Sequence, residues 1–150
     1  NLITNYKEIA ATAKRIDFNQ HFIIGERVAS LSDVLKAEYN IVDFWATYCK
    51  PCIKAFPKIE TYVSKEEDVD LISICVGQEE RFKSWISKNK DYTLTFSNID
   101  RNHTILDQLN VIGFPTYYVT DSEGLILYGP VHIWEEAIQF LESDRKSRVE

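Results

Sequence analysis

Residues 41–52 read Ile41-Val42-Asp43-Phe44-Trp45-Ala46-Thr47-Tyr48-Cys49-Lys50-Pro51-Cys52. The first six form an apolar run broken by one carboxylate, which is the pattern of a strand buried on both faces. From Cys49 the period changes: Cys52, Ile53, Phe56, Ile59, Glu60 and Val63 recur at helical spacing until the acidic residues 66–68. A buried strand therefore runs into a helix at the cysteines. That junction places the Cys49 sulfur at a helix N-terminus, where unpaired N–H groups and the helix dipole favour a thiolate. Lys50 adds a neighbouring positive charge, and both effects act to lower a thiol pKa from its free value of about 8.5. Cys52 lies one turn further in, shielded from solvent but within reach of Cys49, the position of a resolving thiol. Pro51, early in the helix, lacks an N–H that would have had no partner there.

Other uses of a C-x-x-C pair fit less well. A tetrahedral zinc site needs two more ligands, and Cys75 with His21, His103 or His132 is a poor match for ligand spacing, so no metal is expected. Three cysteines are too few for a disulfide-stapled scaffold and odd in number. Cys75 lies inside the apolar run 71–76 and reads as an inert core residue. The expected redox group is the Cys49–Cys52 disulfide itself, with no separate cofactor.

The segment 42–52 resembles the active-site stretch of thioredoxins, and more closely that of the TlpA/ResA-type extracytoplasmic thiol:disulfide oxidoreductases, which also run Phe-Trp-Ala-Thr into the cysteines. Pro57 matches the proline that kinks the active-site helix of thioredoxin-fold proteins, and Gly113-Phe114-Pro115-Thr116 resembles the family's cis-proline loop. The likeness covers residues 22–142. The stretch from Cys52 to Pro115 is longer than in plain thioredoxin, and its strand-helix segment around 75–96 resembles the insertion of the TlpA-type branch. Two positions depart from the pattern: Tyr48 stands where Trp is usual, and Lys50 where Gly or Glu is commoner.

The resemblance implies an α/β thioredoxin fold, a central mixed sheet flanked by helices, with a strand-helix insertion and an N-terminal extension. It implies a single domain over 1–150, in which 1–21 is a helical extension and 22–142 the core. As activity it implies reduction of protein disulfides by dithiol–disulfide exchange, Cys49 attacking and Cys52 resolving. Asp43, an ionisable group that burial would make costly to charge, would move protons for Cys52. Trp45, Tyr48, Lys50, Pro51, Phe114 and Pro115 would contact substrate, the Phe114 backbone pairing with an extended segment beside a cis Pro115. Partners would be protein thiols and disulfides, with a membrane thiol reductase as upstream electron donor. The site would be extracytoplasmic, in the periplasm or facing it. Rival readings are a disulfide oxidase or isomerase, a redox-inert adaptor, and a copper-binding chaperone that adds His132 to the dithiol as a soft metal site.

Outward from the motif, the periodicity predicts helices over 2–15, 32–38, 79–90, 102–109 and 134–142, and strands over 22–24, 71–76, 93–96 or a little beyond, 116–120 and 125–127. The last two strands form a hairpin around Asp121-Ser122-Glu123-Gly124. Residues 144–150 are polar and are expected to fray. The chain has 150 residues, 45% of them hydrophobic, enough for one globular core. A formal charge of −6 argues against nucleic acid as a partner, because phosphate binding needs clustered Lys and Arg. No apolar run approaches the roughly 20 residues of a membrane span, so membrane association would need an anchor outside this sequence. Asn1 and the absence of Met suggest that an upstream segment has been removed.

Overall fold

The computed structural model describes residues 14–149. The expected helix over 2–15 lies almost wholly outside them. Seven strands form one mixed sheet: β1 (His21–Ile24), β2 (Arg27–Ser30), β3 (Tyr39–Trp45), β4 (Val69–Val76), β5 (Phe96–Ile99), β6 (Thr116–Thr120) and β7 (Ile126–Val131). Their order across the sheet is β2-β1-β5-β4-β3-β6-β7. Among the described residues four α-helices accompany it: α1 (Lys50–Lys65), α2 (Glu79–Lys88), α3 (Thr104–Gln108) and α4 (Trp134–Val149).

β3 is the central element. It pairs in parallel with β4 and antiparallel with β6, and all seven of its residues are buried. Alternation along it divides the core in two. Tyr39, Ile41 and Trp45 face a cluster completed by Phe56 and Ile59 of α1 and Ala137 and Leu141 of α4. Val42 and Phe44 face the opposite cluster, with Leu31, Leu35, Ile105 and Leu109. A strand covered on both faces has to be apolar throughout, which explains why its sequence reads as a continuous run.

Several expectations need correction. The strand expected at 93–96 or a little beyond begins only at Phe96 and runs to Ile99. Ser97 and Asn98 look like loop residues, yet the Ser97 hydroxyl donates to Ile23 O at 2.7 Å and the Asn98 amide to Cys75 O at 3.0 Å, so both are satisfied within the sheet. Thr93 is diverted, its N–H donating to Glu60 Oε2 at 2.6 Å. The helix expected over 32–38 is only a 3-10 turn, Leu31–Asp33. The Asn40 side chain accepts from Ala37 N–H and donates to Ala37 O, drawing the chain into extended form before β3. β2 was not foreseen. It closes a hairpin on β1 through Gly25, whose φ of 65° suits the turn.

β7 runs longer than expected and its pairing with β6 shifts register, beside Gly129 at φ 122°. α4 does not stop at 142 but continues to Val149. Its polar last turns are anchored: Asp144 accepts from the Tyr39 hydroxyl at 2.7 Å, and Arg145 binds both Asp68 oxygens at 2.8 and 2.7 Å. Polarity there marks bonded partners rather than fraying. Among the described residues, no helix is long and apolar enough to cross a membrane.

Candidate active site

β3 ends at Trp45 and α1 begins at Lys50, so the four intervening residues carry the chain over the C-terminal edge of the central strands. Cys49 caps α1 with an extended backbone, and its sulfur accepts from Cys52 N–H at 3.3 Å. Negative charge placed on that sulfur would meet the same donor and the positive end of α1. Pro51 lies within the first two helical positions, where no N–H is needed. Pro57 removes an N–H from inside the helix.

Cys49 and Cys52 are joined by a disulfide, with Cα atoms 5.4 Å apart. Their exposure is unequal: 7% for Cys49 and 1% for Cys52. Cys49 opens onto a groove of about 470 Å³ lined by Tyr48, Lys50 and Pro51 on one side and by Ile112, Gly113 and Phe114 on the other. The Phe114–Pro115 peptide bond is cis. The loop is held from beneath. The Thr116 hydroxyl donates to Gly113 O at 2.6 Å, and His132 Nδ1 lies 2.9 Å from Pro115 O. Because that carbonyl only accepts, the Nδ1 carries the proton.

Asp43 lies on the same face of β3 as Trp45, enclosed by the two neighbouring strands. It registers against Ser73 of β4 and Tyr117 of β6, both buried. The Ser73 hydroxyl donates to Oδ2 at 3.0 Å, while Oδ1 has no partner among the described residues. Burial raises the Asp43 pKa to about 7, the Ser73 hydrogen bond acting weakly in the opposite direction. A carboxyl in that condition exchanges protons readily near neutral pH. The Asp43 charge and, more strongly, burial act together on Tyr117, pushing its hydroxyl pKa up.

The remaining expected residues separate into two groups. Tyr48, Lys50, Pro51 and Phe114 line the groove, and Pro115, the residue after Phe114, is buried and does not. Nor does Trp45. At 0% exposure it has no surface to offer a substrate, which corrects its assignment as a contact. It sits beneath α1 instead, its ring centroid 4.9 Å from that of Phe56 and 4.8 Å from that of Trp85 in edge-on packing. Cys75 is buried and unpaired, and desolvation pushes its thiol pKa up to about 12, so it stays protonated and inert.

Sequence reading missed Ile112 and Ser73. Ile112 is 84% exposed in an irregular loop, where no periodicity flags it. Ser73 is masked inside an apolar strand, and only the register with Asp43 reveals it. His132, the candidate third ligand for copper, is turned to the Pro115 carbonyl. Among the described residues, no three His, Cys, Asp or Glu side chains are grouped to hold a metal ion.

Comparison with known proteins adds three findings. A family model described as thioredoxin-like matches residues 37–126. Among curated proteins, the chain is 30% identical over 112 residues to the thioredoxin-like protein YneN of Bacillus subtilis, covering 73% of this chain and 65% of that one. It is 29% identical over 106 residues to the thiol-disulfide oxidoreductase ResA of the same species, covering 69% and 57%. The chain thus spans less than two thirds of either relative. Among solved structures, the exposed lipoprotein thioredoxin Etrx1 of Streptococcus pneumoniae superposes with a TM-score of 0.69 at 24% identity, over 83% of this chain and 98% of that one. StoA of Bacillus subtilis gives 0.65 at 17% identity, over 85% and 98%. At these identities the structural likeness concerns the fold alone.

Proposed function

The chain belongs to the thioredoxin-like family, and from that premise we propose that it is a thiol:disulfide oxidoreductase that reduces disulfides in protein substrates. The observation that carries this reading is the unequal pair: Cys49 opens onto the groove while Cys52, bonded to it, is enclosed. One sulfur is positioned to attack and the other to resolve.

The exchange balances as follows. In the dithiol form the Cys49 thiolate attacks one sulfur of the substrate disulfide; that S–S bond breaks, and the departing sulfur takes a proton. Cys52 then gives up its proton, for which the buried carboxyl of Asp43 is our proposed acceptor, and attacks the Cys49 sulfur of the mixed disulfide. The second substrate sulfur leaves as a thiol. The protein ends as the Cys49–Cys52 disulfide, and two electrons have passed to the substrate. Return to the dithiol needs two electrons from a thiol reductase. We place that reductase in a membrane, with this chain acting on its extracytoplasmic side. The support for that placement is the likeness to ResA-type proteins. Residues 22–142 act as the working core. An extended substrate segment would lie in the groove against the Phe114 backbone.

Equilibration of the Cys49–Cys52 couple in glutathione buffers tests the direction. A reductant poises near −270 mV, as thioredoxin does at about that value, and a strong oxidant near about −120 mV. A potential at the oxidising end would replace reduction by oxidation as the reading. Failure of the reduced protein to reduce hydroxyethyl disulfide would remove the oxidoreductase assignment.

A further inference from the structure

A second groove, of about 460 Å³, adjoins the dithiol groove and shares Tyr48 with it as a common wall. It runs along the C-terminal edges of β4 and β5 and is lined by Arg81 of α2 and by Asp100, Arg101 and Asn102 of the loop after β5. Nothing in the exchange chemistry uses it. Its charge is unlike that of the molecule. The chain carries a formal −6, yet two guanidinium groups converge on this groove, and Lys50 projects from the rim of the next.

Those cations are not spent on neighbours. Neither Arg81 nor Arg101 has an ion-pair partner among the described residues. Of the two acids before Arg81 in α2, Glu79 is paired with Lys83 at 2.9 Å, and Glu80 makes no ion pair among the described residues. The one carboxylate lining the groove, Asp100, accepts from Asn102 N–H at 2.9 Å. Arg101 donates to the Tyr48 hydroxyl at 3.1 Å, a bond that the Trp usual at that position could not accept. Tyr48, 61% exposed, is thereby fixed between the two grooves with its guanidinium partner behind it.

We propose that the groove walled by Arg81 and Arg101 is a carboxylate subsite, through which the enzyme favours substrate disulfides flanked by Asp or Glu. The inference rests on the oxidoreductase reading and names its substrate class. An extended segment advances about 3.3 Å per residue, so a side chain two residues from the half-cystine at Cys49 has moved about 7 Å, enough to pass one tyrosine ring. A guanidinium meets a carboxylate there with matched geometry. The contact is exposed to solvent, so its effect is a modest preference that salt weakens.

The test uses two disulfide-linked peptides identical except for Asp/Glu or Lys two residues from the half-cystine. Hydroxyethyl disulfide, small and uncharged, measures the dithiol chemistry of each protein separately. At low salt the acidic peptide should have a kcat/KM roughly fivefold above the basic one, carried by KM, with the ratio falling toward one in 0.5 M salt. In the Arg81→Glu/Arg101→Glu variant the ratio, normalised to hydroxyethyl disulfide turnover, should invert. In Arg81→Lys/Arg101→Lys it should be kept in part, since charge remains while the planar fork is lost. Equal turnover of the two peptides by the wild type, or an unchanged ratio in the Glu variant, overturns the subsite and leaves the oxidoreductase reading standing. Absence of hydroxyethyl disulfide reduction by the wild type would instead remove that reading, and the subsite with it.

Discussion

Asp43 has one oxygen hydrogen-bonded by Ser73 and the other bare, inside a sheet. Its folded pKa of about 7 lies above the usual carboxylate value of 3.8. Between these two pH values the folded state therefore holds more protons than the unfolded state. Stability contributed by the neutral carboxyl is complete below about pH 4, declines as pH rises toward 7, and levels beyond it. The whole decline is on the order of 4 kcal/mol. Asp43→Asn should abolish that decline, raising stability at pH 8 by roughly 1–4 kcal/mol, while slowing resolution of the mixed disulfide by about tenfold or more. Denaturant unfolding at pH 5 and pH 8 together with stopped-flow exchange would check both, and an unaltered pH slope would contradict the burial argument. The sulfurs offer a second prediction: iodoacetamide should label Cys49 of the reduced protein before Cys52 or Cys75, and Cys52→Ser should accumulate mixed disulfides. First labelling at Cys52 would reverse the roles. At this scale the sequence was informative where chemistry depends on near neighbours, as at Cys49, Pro51 and Cys52. It was silent where it depends on distant ones. The bond from Arg101 to Tyr48 joins positions 53 residues apart, and the Ser73 bond to Asp43 needs a strand register.

Elements reveal why polar sequence misleads. The last turns of α4 read as a fraying tail because Asp144, Arg145 and Arg148 have no apolar period. Each is nonetheless bonded, to Tyr39, to Asp68 with Glu66, and over the Tyr39 ring. Arg145→Ala should cost about 1–2 kcal/mol, more than an ordinary surface pair, because the bidentate bond to Asp68 is partly shielded. That corresponds to a fall in Tm of roughly 2–8 °C for a domain of this size. A change under 1 °C would return these turns to the status of a loose tail. Gly129 gives the opposite lesson, since Gly and Pro argue against strand while the chain here needs them. At φ 122°, a Cβ on residue 129 would lie 2.7 Å from Tyr117 O and 2.8 Å from Tyr118 Cδ1. Gly129→Ala should therefore destabilise by more than about 2 kcal/mol, read as a drop in the denaturant midpoint. The apolar elements β3, β4 and α1 were legible because burial on fixed faces writes a period into the sequence. β5 was legible only where it begins, since Ser97 and Asn98 are satisfied by partners far along the chain, and β2 was not, because none of its residues is buried and it pairs only in a local hairpin.

Across the whole molecule, the sheet is graded from its middle outward. β3 has a bonded neighbour on each side along nearly its full length, β4 and β6, whereas β2 at one margin pairs, among the described residues, only with β1 over four residues. The grading has a consequence in time. Amide protons of Ile41 to Phe44 can escape to solvent only when the entire sheet opens, at a cost on the order of 5–15 kcal/mol, while those of β2 need only a local parting. In deuterated water the centre should thus retain its protons longest and the β1–β2 margin lose them first. The two sulfurs stand at the start of α1, Cys49 four residues beyond the end of the slowest strand. Breathing at the margins then leaves undisturbed the strand that leads into them, so the setting of the two sulfurs should outlast many local partings of the β1–β2 edge.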